Sequence, residues 1–282
     1  MGPKVEVTGN ENSLIYNLTG KELDITEEDL QAIGNEIQDL HSEPDEDWQP
    51  RQPSSDSRIW RYFNFTQLMS IIERDSLWFS DLTEFDDPYE GTVPKENIYE
   101  EIDILVDSLD YDREEIEPIY ELFNPKKAYN KERLVNCWNK NQYESAALWE
   151  QYLDSPEGVA ISTTVENVKS ALEDSGYEMV YGEVKYINYE TDRIPMGVLP
   201  TVYHKRKSFQ HENEFRISFA PDESDSIDSG EYISVNVDDL IDKVYISPTA
   251  AGWFYDQVKQ VLDTYDVDCE IVKSNVYSGP VY

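Results

Sequence analysis

The chain has 282 residues, of which 39% are hydrophobic and 12% aromatic, so it can bury a core without disulfides. Its formal charge is −36, from 59 acidic and 23 basic residues. This excess excludes general binding to the phosphates of DNA or RNA, and it is tolerable where molar salt screens the acids. We therefore expect a halophilic protein, from a salt-adapted archaeon or one of its viruses. An acidic mesophilic protein or a nucleic-acid mimic is the alternative.

The sequence also bears on location and cysteine chemistry. No apolar run approaches the ~20 residues of a membrane helix and no signal peptide opens the chain. We expect a cytoplasmic protein, or a virion-associated one if it is viral. Cys137 and Cys269 each lie in an apolar run without metal-ligand spacing, which predicts buried free thiols.

Residues 1–57 differ from the rest and predict an acidic extension. Thr26 precedes acidic residues of the kind favoured in a first helical turn. Apolar residues then recur at helical spacing, at Leu30, Ile33, Ile37 and Leu40. One amphipathic helix over 26–40 is not stable alone, so it docks on its own core or on a protein partner. The acidic, Pro- and Ser-rich stretch from Ser42 to Ser55 predicts a linker.

From Arg58 onward, short strands alternate with single helices, which predicts a single domain over 58–282. Strands are predicted at 59–63, 77–79, 133–138, 157–162, 178–186, 213–219, 231–235, 243–247 and 267–272. Helices are predicted at 65–74, within 94–131, and at 145–153, 164–174 and 250–263. The expected fold class is α+β, a mixed and mostly antiparallel sheet with flanking helices.

One segment departs from the acidic background. Residues 204–216 hold four of the 23 basic residues and two of the three histidines. A strand over 211–219 carries apolar side chains on one face and polar ones on the other. The polar face, formed by Glu212, Glu214, Arg216 and Ser218, either meets solvent or lines a cleft. In a cleft, the carboxylates and the guanidinium divide acid–base and anion-binding roles.

Other groups admit both a structural and a functional interpretation. Residues 86–90 offer three carboxylates for a metal or for catalysis, but they also form an ordinary Asp-Pro-Tyr turn. Trp149 and Tyr152 share a helical face and serve either the core or ligand stacking. Arg61 alternates with its aromatic neighbours, which allows it to face a pocket. The chain contains no Walker loop, GxGxxG, GxSxG or HExxH motif.

Four groups of motifs match a known family pattern, in order along residues 58–278. They are Arg61-Tyr62 with Leu77–Ser80 and Phe85–Glu90; Asn136–Trp138 with Leu148–Tyr152 and Gly158–Ile161; Lys205 and Phe209 with Glu212–Ile217; and Val244–Pro248 with Lys273–Asn275. Through them the chain resembles the microbial domain-of-unknown-function 2971 family. It departs from that pattern at Asp86, where Asn is usual, and at Ser247, where Gly is usual.

The layout of this family looks like that of ADP-ribosyltransferase-type folds, with an Arg on the first strand and a late Glu-x-Glu strand. The resemblance implies NAD as cofactor and no metal. Glu214 would hold the nicotinamide ribose and stabilise an oxocarbenium-like transition state, while Glu212 would orient the nucleophile. The implied cofactor-binding residues are Arg61, Tyr62, Lys205, Arg216, Trp149 and Tyr152.

Three functions stay open. The first is an NAD-using, ADP-ribosyltransferase-like enzyme in defence or virus–host conflict. The second is a metal-dependent phosphodiesterase that uses the carboxylates at 86–87, Glu212 and Glu214. The third is a non-enzymatic binding or assembly protein, virion- or defence-associated, with the helix at 26–40 as its partner surface.

Overall fold

The computed structural model describes residues 6–10, 13–18, 21–42, 48–109, 111–123, 133–153, 155–221 and 229–280. In chain order its strands are β1 (Glu6–Asn10), β2 (Ser13–Leu18), β3 (Lys21–Ile25), β4 (Arg58–Asn64), β5 (Ser76–Asp81), β6 (Leu134–Lys140), β7 (Gly158–Thr164), β8 (Val180–Glu183), β9 (Lys185–Ile187), β10 (His204–Arg206), β11 (Glu214–Phe219), β12 (Gly230–Ser234), β13 (Lys243–Ile246) and β14 (Glu270–Lys273). The helices are α1 (Glu27–Ser42), α2 (Phe65–Arg74), α3 (Lys95–Leu109), α4 (Arg113–Phe123), α5 (Ala146–Tyr152), α6 (Val165–Ala171), α7 (Val198–Val202), α8 (Val237–Leu240) and α9 (Gly252–Thr264).

The mixture of helices with a mostly antiparallel sheet confirms the α+β class. Strands β13 and β14 run parallel, whereas the other pairings with a described register are antiparallel. No described helix combines the length and the apolar character needed to cross a bilayer.

The described residues form two compact units. The first draws on 1–49, 85–132 and 186–207, and the second on 50–84, 133–185 and 208–282. This division differs from the boundary that the sequence predicts near residue 57.

In the first unit, β1, β2 and β3 form an antiparallel sheet that the sequence analysis did not predict. Helix α1 packs on α3 and α4 in the same unit. The shared apolar cluster consists of Ile33, Ile37, Ile102, Leu105, Ile116, Ile119 and Tyr120. The apolar face predicted for the helix at 26–40 is therefore used within the chain.

The second unit contains a nine-stranded sheet, in the order β12-β5-β6-β4-β7-β13-β14, with β11 pairing with β6 and β8 pairing with β11. Its main core includes apolar residues of α2, α6, α8 and α9. Local sequence fixes α2 at both ends. Asn64 accepts a hydrogen bond from the Gln67 backbone (3.0 Å), and the Gln67 side chain accepts one from the Asn64 backbone (3.1 Å). At the other end, Asp75 adopts the left-handed conformation (φ 46°).

The predicted linker is partly a docked segment of the second unit. The Arg51 carbonyl accepts a hydrogen bond from the Glu183 N–H (2.9 Å) at the end of β8. The Ser55 and Ser57 carbonyls accept from the Glu166 and Val165 N–H groups (2.9 and 3.1 Å), which lie in the first turn of α6. Such first-turn N–H groups have no acceptor inside their own helix, so this Pro-rich segment satisfies them.

The charged strand also differs from its prediction. It begins at Glu214 instead of residue 211, because Lys207–Glu212 form a 3₁₀ helix and Asn213 follows with φ 41°. Glu212 therefore lies outside the strand. All six residues of β11 are buried, so its polar face does not meet solvent.

Candidate functional site

The second unit has an interruption in its sheet at β6. On one edge, Ser80 and Asp81 of β5 pair with the start of β6, while Ile59 and Trp60 of β4 pair with its end. The three residues between, Asn136–Trp138, have no described backbone pairing on that edge. Their opposite edge is fully paired with β11. The interruption separates β4 from β5 along the middle of β6.

Arg61 of β4 lies next to this interruption. Its guanidinium carbon is 6.0 Å from the centroid of the Trp138 ring, a cation–π contact. The Nη1 atom is buried, and no described residue accepts a hydrogen bond from it. Arg61 also makes no ion pair with any described acid. A buried guanidinium N–H without an acceptor lowers the free energy of unfolding. An anionic ligand that accepts a hydrogen bond from this N–H would compensate for the loss.

Burial lowers the pKa of Arg61 from its ordinary value, and Cys137 and Tyr152 oppose this through their charges. A guanidinium stays protonated even so, because its ordinary pKa is far above neutral pH. The site therefore presents a permanent cation that the surrounding protein solvates poorly.

Across β6 from the interruption, β11 carries a buried ion pair. The Arg216 Nε and Nη2 atoms donate to the two oxygens of Glu214 (2.7 and 3.2 Å). The Arg216 side chain is 0% exposed and that of Glu214 is 7% exposed. Arg216 is the register partner of Cys137, and Glu214 is that of Asn139, which also pairs with Trp60. This register turns the side chains of Trp60, Glu214 and Arg216 to one face of the sheet. Arg61 turns to the opposite face, where it meets Trp138. Since neighbouring strands lie about 4.8 Å apart, the two backbones are roughly 10 Å apart.

Glu212 is buried beside β6 and α5. The Gln151 amide donates to its carboxylate (3.3 Å), and the Asn139 side chain donates to its backbone carbonyl. The carbonyl of the same Gln151 side chain lies 3.3 Å from Nε2 of His211. The predicted carboxylate is thus held by a hydrogen-bonded chain that reaches an exposed histidine.

The predicted aromatic contacts divide into buried and exposed rings. Tyr62 and Trp149 pack edge to face, with centroids 5.0 Å apart, in a buried cluster with Trp60. The Tyr62 hydroxyl accepts from the Ser145 N–H (2.7 Å), and the Trp149 indole donates to Glu144 (2.8 Å). These two rings serve the core. Tyr152, at the end of α5, is 49% exposed.

Other predicted residues belong to the first unit. Lys205 pairs with buried Glu90 (2.9 Å), and Arg206 donates twice to Asp87 (3.1 and 2.6 Å). Arg206 also stacks over Tyr89, 4.3 Å from the ring centroid. Two of the three carboxylates of the 86–90 turn, Asp87 and Glu90, are therefore bound by cations of β10. No three His, Cys, Asp or Glu side chains of the described ranges are grouped as metal ligands.

Two residues at the interruption, Asn136 and Trp138, occur in the sequence only within a family motif and were not predicted as site residues. Both are buried, and each lies within the described hydrogen-bonded sheet. A polar Asn inside the otherwise apolar run Leu134–Trp138 was the available signal, because Asn is depleted in strands.

Comparisons with known proteins give only distant structural similarity. No family model matches the chain, and no curated protein matches its sequence. Among solved structures, it is similar to Thermus sp. 2.9 DarT in complex with NAD+, with a TM-score of 0.38 and 7% identity over 79% of this chain and 96% of that one. It is also similar to Thermus sp. 2.9 DarT in complex with ADP-ribosylated ssDNA, with a TM-score of 0.39 and 6% identity over 80% and 98%. Similarity this weak does not establish a shared function.

Proposed function

We propose that this chain binds NAD at the interruption of β6 and is an enzyme of the ADP-ribosyltransferase type. The observation that supports this proposal is the buried Nη1 of Arg61, which has no acceptor among the described residues. An anion from outside the chain is the simplest acceptor.

A diphosphate fits this site chemically. A guanidinium binds phosphate oxygens through two parallel N–H bonds, which are stronger than neutral hydrogen bonds. The protein as a whole is negative and repels anions. The positive charge of Arg61 makes the electrostatic potential near it more favourable for a phosphate. In this proposal Arg61 would hold the diphosphate beside the interruption.

The ion pair of β11 would supply the second group to a ligand that passes through the interruption, because its side chains lie on the opposite face of the sheet from Arg61. NAD, when bound, offers a glycosidic bond to nicotinamide, which is a good leaving group. Arg216 fixes both oxygens of Glu214, so the carboxylate is held in one orientation. A carboxylate so placed would bind a ribose hydroxyl and stabilise developing positive charge on the sugar. Glu212, oriented by Gln151, would take the proton of the incoming nucleophile.

Calorimetry of NAD+ binding to the full chain in 1 M KCl tests the proposal, together with chromatographic measurement of NAD+ loss. We expect the wild type to bind and consume NAD+. Arg61→Met should weaken binding about 30- to 100-fold, because a charge-assisted pair is lost. Arg58→Met is the matched control, since Arg58 is bound to Asp242 and Ser162 instead. The absence of binding by the wild type, or equal binding by the Arg61 variant, would refute the proposal.

A further inference from the structure

At the interruption, the side chain of Asn136 on β6 is hydrogen-bonded to the backbone of β5. Its Nδ2 atom donates to the backbone carbonyl of Trp78 on β5 (2.8 Å). The last described backbone pair between β5 and β6 is that of Ser80 with Val135. One residue further along β6, the Asn136 side chain supplies a hydrogen bond between the two strands. A buried carbonyl requires a donor, and here the amide of Asn136 supplies it.

The other end of the same amide fixes Trp138. The Trp138 indole Nε1 donates to Oδ1 of Asn136 (2.7 Å). Because both ends of the amide are used, the reversed orientation would oppose donor to donor and acceptor to acceptor. The amide therefore has one orientation, and it fixes the rotation of the indole.

The indole in turn lies against Arg61, in the one cation–π contact that the described residues give this guanidinium. The ring attracts the cation through its π face but offers no oxygen to accept its N–H groups. A carboxylate at this position would hold the guanidinium more strongly, and an incoming phosphate would have to displace it. An aromatic ring orients the cation and leaves its N–H groups available.

We infer that Asn136 and Trp138 are positioning residues, which hold the guanidinium of Arg61 ready for a diphosphate. This inference rests on the proposed function for its ligand and assigns two residues that act through Arg61. The chain is Trp78 carbonyl, Asn136 amide, Trp138 indole and Arg61 guanidinium, all within the second unit.

Two substitutions of Trp138 separate the ring from its hydrogen bond. Trp138→Leu removes the ring, and we expect affinity for NAD+ to fall about 10- to 30-fold. Trp138→Phe keeps an aromatic face but loses the Nε1 donor, so we expect a loss of about 2- to 5-fold. Trp60→Phe is the matched control, because it also loses one indole hydrogen bond of a buried ring in the same unit, to the carbonyl of Asn141. Its affinity should equal that of the wild type.

A spectroscopic readout distinguishes positioning from general loss of stability. Ligand binding at Arg61 should change the fluorescence of Trp138. This change should occur in the wild type and in Trp60→Phe and be absent in Trp138→Phe. If Trp138→Leu does not fold, the Phe variant and this signal still decide the matter.

Inorganic pyrophosphate, used as a second probe, separates failure of this inference from failure of the proposed function. If the wild type binds pyrophosphate through Arg61 but does not bind NAD+, the proposed function is wrong and the positioning role stands. If Arg61→Met loses binding while folded Trp138→Leu and Trp138→Phe bind as the wild type does, the positioning role is wrong. If neither probe binds to the wild type, both are wrong.

Discussion

Glu214 and Arg216 lie two residues apart on one strand, and their side chains are joined by two hydrogen bonds of 2.7 and 3.2 Å. Residues i and i+2 of a strand share a face, so the local backbone alone brings the two groups together. Both are buried, which makes the pair a structural element as well as a candidate site.

The first prediction is that Glu214→Gln lowers stability. Removal of one partner leaves the charge of the fully buried Arg216 less well compensated, and this costs about 2–5 kcal/mol of the free energy of unfolding. Urea denaturation in 2 M KCl measures the change. Glu270→Gln is the matched control, because Glu270 pairs with Lys243 at the surface, with 60% and 31% of the two side chains exposed. It should cost below about 1 kcal/mol, and an equally small loss at Glu214 would contradict the prediction.

The second prediction concerns the N-terminal helix. The sequence favours an extension that can be removed, but Ile33 is 0% exposed and packs in the cluster of α1, α3 and α4. Ile33→Ala should therefore lower the free energy of unfolding by about 2–4 kcal/mol. Gln31→Ala, on the exposed face of the same helix, should change it by less than about 0.5 kcal/mol. A folded, equally stable protein after deletion of residues 1–42 would show that the cluster does not need this helix.

Local patterns predicted the elements of the second unit well. The helix predicted at 65–74 from its spacing is observed as α2 (Phe65–Arg74). The strands β4, β6, β7 and β13 also lie where apolar runs predict them. These elements were predictable because neighbours in sequence determine them.

Three features were missed, and two of them depend on distant residues. The strands β1–β3 are consecutive and separated by two residues each, and Leu23 and Ile25 alternate with charged residues in β3, so a local signal was present and was not used. The docking of Arg51 and Ser57 depends on free N–H groups of β8 and α6. The interruption of β6 arises from the lengths of two pairings with β4 and β5, which no spacing in the sequence reveals.

The third prediction concerns thiol reactivity. Burial, with a smaller effect of the neighbouring Asp268, raises the pKa of Cys269 to about 11. The thiolate is then about 0.1% of the thiol at pH 8, against roughly a quarter for an ordinary cysteine. In a Cys137→Ser background, iodoacetamide should label folded Cys269 about 100-fold more slowly than the urea-unfolded protein at pH 8. The rate in the folded protein should rise through pH 10–11, and fast labelling at pH 8 would show that the thiol is not buried.

The fourth prediction concerns salt. The acidic excess of 36 charges is distributed along the chain, so the folded state repels itself at low ionic strength. Salt at ~1 M shortens the Debye length to roughly 3 Å and screens this repulsion. The melting temperature should therefore rise steeply between 0.1 and 2 M KCl. A flat response would contradict the halophilic interpretation.

The fifth prediction is that Arg61→Met stabilises the ligand-free protein. Arg61 buries its Nη1 without an acceptor, and its one described cation–π contact is with the ring of Trp138. Methionine fills similar space beside that ring without a charge to desolvate. We expect the free energy of unfolding to rise by about 1–2 kcal/mol, as happens when a site held ready for a ligand is made apolar. Arg58→Met should instead lose stability, because Arg58 is paired with Asp242 and Ser162.

Thermal denaturation in 2 M KCl, with and without NAD+, compares the two variants with the wild type. NAD+ should raise the melting temperature of the wild type and of Arg58→Met, and leave that of Arg61→Met unchanged. A loss of stability in Arg61→Met would mean that the guanidinium supports the fold, and Arg61 would no longer be explained by a missing ligand.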